Sequence, residues 1–85
     1  MTWTVIVAKA AKKQLANFPA KDQNKITAAI RAMNDDPFSG DIIKLEGGND
    51  RWRRRVGSYR IFFAVDTTAR TVAVSAIVRR TSTTY

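Results

Sequence analysis

From Trp3 to Val7 the chain is apolar and mostly β-branched, which predicts a first strand. The period then turns helical. Ala8, Ala11, Leu15 and Phe18 fall on one side of a helix and Lys9, Lys12 and Lys13 on the other, and Pro19 either stops that pattern or opens the next. A second helix is predicted over about 20–34, with an apolar stripe of Ile26, Ala29, Ile30 and Met33 and with Asp22 placed to complement the helix dipole. Asp35-Asp36-Pro37 ends it and a loop runs to Asp41, so the two helices form an αα-hairpin whose stripes read as core. Ile42–Leu45 is a short strand, residues 47–50 a turn, and 51–56 and 59–65 two further strands. After a polar turn over 66–70, Thr71–Val78 is apolar on both faces, as in a central strand covered on each side. The order β-α-α-β-β-β-β, without repeat or linker, predicts one α+β domain spanning 1–85. An antiparallel-rich sheet would carry the αα-hairpin packed on one face.

Gly57-Ser58 is a two-residue hairpin loop, which sets a register. Val56 faces Tyr59, Arg55 faces Arg60, Arg54 faces Ile61, Arg53 faces Phe62 and Trp52 faces Phe63. Alternation then gives Trp52, Val56, Tyr59, Ile61, Phe63 and Val65 to the core, and Arg51, Arg53, Arg55, Arg60 and Phe62 to the other face. Arg54 is the misfit. It falls on the core side and must snorkel past an apolar edge or pair with a carboxylate, Asp66 and Glu46 being the candidates.

Charge sharpens the picture. The chain carries 15 Lys and Arg against 7 Asp and Glu, a net +8. Residues 1–50 account for +1 of this and residues 51–85 for +7, every cation in the second part being arginine. Arginine suits bidentate phosphate recognition and stacking on rings. A basic run is ordinarily a solvated face. Here two arginines oppose each other across a hairpin, an arrangement that is destabilising unless an anion neutralises it. A nucleic-acid backbone is such an anion, and Phe62, on the arginine face, is the candidate for base stacking. The chain has no cysteine and no histidine, which excludes disulfides, thiolate and imidazole metal sites, a cysteine nucleophile and a Ser-His triad. With carboxylates few and scattered, no metal or cofactor is expected. No signal peptide or membrane span is apparent, which predicts a cytoplasmic protein.

The element order, KLEGG at 44–48, WRRRVGSYRIFF at 52–63 and RRTSTTY at 79–85 together resemble the RelE/ParE superfamily of bacterial type II toxins, over essentially the whole chain. The resemblance implies a toxin held in check by a cognate antitoxin, with a toxin–antitoxin hetero-oligomer and no membrane. RelE-like members cut messenger RNA, usually in the ribosomal A site, and ParE-like members inhibit DNA gyrase. The basic positions of the cutting members correspond here to Arg53, Arg55, Arg60 and Arg79, and their C-terminal tyrosine to Tyr85. These residues favour a metal-independent endoribonuclease of the RelE type, an mRNA interferase acting on the ribosome. A gyrase inhibitor and a non-catalytic RNA-binding module are the alternatives.

In cleavage by the substrate's own 2′-hydroxyl, negative charge builds on the phosphate, and fixed guanidinium groups stabilise it. The resemblance casts Arg60 and Arg79 in that part, Tyr85 as proton donor to the departing 5′-oxygen, and Arg53 and Arg55 as grips on the flanking backbone. Arg51, Arg54, Phe62 and Arg80 are further RNA-binding candidates. Many cutting members have lysine at one or both strand positions, where it can serve as a base and arginine cannot. The base here is therefore Tyr85 as phenolate, Glu46, the terminal carboxylate or a group of the ribosome. Arg54 also departs from the family, which commonly places an aliphatic residue there.

Overall fold

The computed structural model describes residues 3–47 and 50–80. The β-branched start forms strand β1 (Thr4–Val7), followed by α1 (Lys9–Ala16), α2 (Ala20–Ala32), β2 (Ile42–Lys44), β3 (Arg51–Val56), β4 (Tyr59–Asp66) and β5 (Thr71–Arg79). The element order and the α+β class are those predicted. Pro19 acts as the N-cap of α2, and its carbonyl accepts from the Asp22 and Gln23 N–H groups at 2.9 Å. Its fixed φ suits a helix start, and its lack of an N–H costs nothing there. Gly57 takes φ +58° at the first central position of the β3–β4 turn, and Ser58 has no positive φ, the pattern of a type II′ hairpin.

The five strands form one mixed sheet in the order β1-β5-β4-β3-β2. All neighbours are antiparallel except β1 and β5, which run parallel with Thr4 beside Thr71 and Val7 beside Val74. The β3–β4 register matches the hairpin parity residue for residue, from Val56 opposite Tyr59 to Trp52 opposite Phe63. Between β4 and β5 the register slips at Phe62/Phe63: Phe62 faces Ala76 and Phe63 faces Val74, so Ser75 is the extra residue of a bulge. Beyond the end of β1, the Gln14 side-chain oxygen of α1 accepts the Ile77 N–H at 2.7 Å, tying helix to sheet.

Both helices lie on one face. The core joins Ala11 of α1 and Ile26 and Ala29 of α2 to Tyr59, Ile61, Phe63 and Val65 of β4 and to Val72, Val74 and Ile77 of β5. Fully burying a side chain such as Phe63 or Ile26 contributes about 1.5–3 kcal/mol. β5 is indeed central, yet it is covered on one side only: Ala73, Ser75 and Val78 are exposed. The apolar residues on its second face reflect small side chains and a bulge, with no second layer among the described residues.

Arg54 lies on the helix side, as alternation requires, with neither expected carboxylate as its partner. Its guanidinium runs under α2 and donates to the Ala29 carbonyl at 3.3 Å. That carbonyl belongs to the last turn of α2, where the Met33 N–H has shifted to Ile30. The cation thus satisfies a helix-end acceptor and complements the negative end of the dipole. Gly40, at φ +86°, makes room for it, because a Cβ there would come within 2.8 Å of the guanidinium.

Gly40→Ala should destabilise the fold by more than the about 1–2 kcal/mol that a left-handed conformation costs a residue with a Cβ, because the methyl group also meets the Arg54 guanidinium. Part of that cost should vanish in an Arg54→Ala background. A double-mutant cycle on urea-unfolding midpoints checks this, with non-zero coupling expected.

Candidate nucleic-acid interface

On the face opposite the helices, β3 presents Arg51, Arg53 and Arg55, and β4 presents Arg60, Phe62 and Ala64. Arg55 and Arg60 are directly opposed. Their repulsion is partly relieved inside the chain. Asp41, just before β2, accepts the Arg55 N–H on its backbone carbonyl at 2.9 Å and the Arg55 Nε–H on Oδ2 at 3.1 Å. Both side chains are exposed, so this ion pair contributes little stability. Arg53 Nε and Arg60 Nε on this face, like Arg54 Nε on the helix side, are shielded from solvent and have no hydrogen-bond partner among the described residues. A buried donor without a partner carries a desolvation cost that an arriving anion would offset.

The sheet divides the other candidates. Arg79 pairs with Tyr59, and Val78 with Arg60, so Arg79 points to the helix side, away from Arg60. Its guanidinium carbon stands 5.8 Å from the centre of the Tyr59 ring. The Arg80 N–H donates to the Ser58 carbonyl, which continues the pairing, and alternation carried one residue further puts Arg80 on the Arg60 face. Arg54 is committed to Ala29. Glu46 sits in the β2–β3 turn, at the opposite end of β3 from Arg55 and Arg60, roughly 13 Å along the strand by strand geometry. Tyr85 lies outside the described residues. Arg51, Arg53, Arg55, Arg60 and Phe62 are thus brought together, with Arg80 beside them, and Arg54 and Arg79 are not.

Two links were missed from sequence. Asp41 could have been found by extending the β2–β3 register, in which Ile42 faces Arg54. The other is a hydrogen bond from the Tyr59 hydroxyl to Asp22 Oδ2 at 2.7 Å, under the Phe18 ring, whose centroid is 4.6 Å away. This bond to a carboxylate raises the Tyr59 pKa above 10, helped by burial and the Asp22 charge, with Arg79 opposing. The cluster opens at a depression of about 230 Å³ beside Lys25 and the hairpin tip.

The geometry defines a class: a small basic α+β protein whose sheet is helix-covered on one face and lined with arginine on the other. A sequence profile described as the ParE toxin of type II toxin–antitoxin systems (parDE) matches residues 5–83, so the chain belongs to this toxin family of the RelE/ParE superfamily. Among solved structures, RelE in the archaeal RelE–RelB complex from Pyrococcus horikoshii OT3 is 25% identical with a TM-score of 0.84, over 96% of this chain and 99% of that one. The RelB–RelE complex from Methanococcus jannaschii gives 25% identity and a TM-score of 0.73, over 87% and 88% of the two chains. The isolated E. coli RelE toxin shares the fold, with a TM-score of 0.80 at 14% identity over 96% and 88%. No curated protein sequence matches the chain.

Two outcomes follow from this geometry. Asp41→Ala releases the Arg55 side chain, so binding to a single-stranded polyanion should tighten, and its log–log salt slope should steepen by about 0.7. Fluorescence titrations at several salt concentrations measure both. The raised Tyr59 pKa favours the fold fully below the unfolded value of 10, and that contribution is lost as pH climbs through the folded value. Urea unfolding above pH 10 should therefore show a steeper loss of stability in the parent than in Tyr59→Phe.

Proposed function

We propose that this toxin is a metal-independent endoribonuclease that cleaves messenger RNA in the ribosomal A site, and that a cognate antitoxin neutralises it. The observation that supports this most is the open face on which Arg51, Arg53, Arg55 and Arg60 stand together beside Phe62, with Asp41 pairing only Arg55. A phosphodiester supplies the missing anion. As the 2′-hydroxyl attacks, its oxygens gain charge, and donors fixed by the sheet stabilise that state more than the ground state. Arg60 is the central donor. Arg80, which shares its face, takes the role that the family resemblance assigns to Arg79, while Arg79 braces Tyr59. Arg53 and Arg55 grip the flanking backbone, and Tyr85 protonates the departing 5′-oxygen. Arg55 can engage phosphate once it leaves Asp41. The antitoxin reading draws support from the solved RelE–RelB complexes and from the charge of the exposed face.

One observation favours a second reading. The matching profile is that of ParE toxins, and ParE-like toxins inhibit DNA gyrase. Brief induction followed by primer extension separates the two. Cuts are expected within translated frames, and they should disappear when initiation is blocked. Intact transcripts together with loss of supercoiling would establish the gyrase reading instead. In single-turnover cleavage Tyr85→Phe should be slower by roughly a hundredfold or more while still binding ribosomes, since a proton donor acts in the transition state.

A further inference from the structure

Between the arginines of β3 and the bulge of β5 the open face is hollow. Ala64, Ala73 and Ala76 form the floor of a depression of about 300 Å³, with Phe62, Arg51 and Ser75 at its sides. Three features set this hollow apart from an ordinary run of small residues. The bulge places both Ser75 and Ala76 opposite Phe62, where one residue is normal, and the Ser75 hydroxyl donates to the Phe62 carbonyl at 3.2 Å, which holds the distortion in place. Phe62 is half-buried and offers an aromatic surface beside the hollow. Arg51, Arg53 and Arg55 stand at two-residue intervals along the adjoining strand, about 6.7 Å apart by strand geometry. That interval is close to the spacing of successive phosphates in an extended single strand.

Resting on the RNA reading above, we infer that this hollow is a slot for one unpaired nucleobase of a strand whose phosphates run along β3. Arg53 and Arg51 hold the phosphates on either side of that nucleotide, and its base stacks against Phe62 over the alanine floor. Every base has a π-face, so the slot accepts any base and selects for single strands over duplexes. The path ends at Arg51. Past it Asp50 and Asp66 border a second depression and repel further phosphates. Alanine is required at the floor because any larger side chain occupies the volume of the base.

The test uses the full chain and two DNA oligonucleotides, which lack the 2′-hydroxyl and cannot be cut by it: one carries all its bases, the other is abasic throughout. The parent should bind the base-bearing strand about tenfold more tightly than the abasic one, the gain expected from one stacked base. Ala73→Leu, at an exposed position, should abolish that preference and leave affinity for the abasic strand unchanged. Ala64→Leu provides a second fill of the same volume. Equal affinity of the parent for both strands, or a preference that survives both fills, overturns the slot and leaves the arginine path standing. If neither strand binds at low salt, the nucleic-acid reading itself fails and the slot with it.

Discussion

Two short helices can cover one face of a five-stranded sheet and no more. The chain is small, and most of its large apolar side chains are used on that single layer, with Ile6, Ile43 and Val78 left exposed on the other face. The opposite face stays open, and strand alternation decides which residues it carries. On β4 the buried set Tyr59, Ile61, Phe63 and Val65 fixes Arg60 and Phe62 outward, and pairing transmits the same phase to Arg53 and Arg55. The arginine face is therefore a product of core packing. A one-residue slip of β3 would bury three guanidinium groups and expose Trp52 and Val56, so the register is held by a large energetic penalty.

What this face does is limited by what neutralises it. Opposed Arg55 and Arg60 repel, and Asp41 offsets only one of them. The residual cost is tolerated because the core supplies the stability. On the function proposed above, a bound anion would relieve this local frustration. Arg54 shows the contrasting use of the same residue type. One position along the strand, facing the other way, the guanidinium finds a helix-end carbonyl and becomes part of the framework.

Much of this was legible from residues alone. The element order, the hairpin register and the identity of the outward arginines follow from periodicity and one two-residue turn, because these are local rules. The failures have a common origin in long-range pairing. The parallel docking of β1 on β5 joins segments some 65 residues apart, and nothing in either strand specifies that neighbour. The resemblance pairs Arg79 with Arg60, and no local rule places it on a face, since that depends on the β4–β5 register, which the bulge at Ser75 resets. The partner of Arg54 was sought among carboxylates, whereas a helix terminus presents an acceptor that no side chain announces. The Tyr59–Asp22 bond likewise depends on how α2 lies across the sheet.

The place of β5 in the sheet has one more consequence. Among the described residues it is the last strand in sequence, and it sits between β1 and β4, bridging the first element and the hairpin. Until it emerges from the ribosome, β1 has no partner, Gln14 has no Ile77 amide to accept, and the core lacks Val72, Val74 and Ile77. The arginine hairpin can form earlier, since its contacts are local, but it would lack the layer that holds it flat. Closure of the sheet therefore waits on a contact between segments far apart in the chain, and loops this long close slowly.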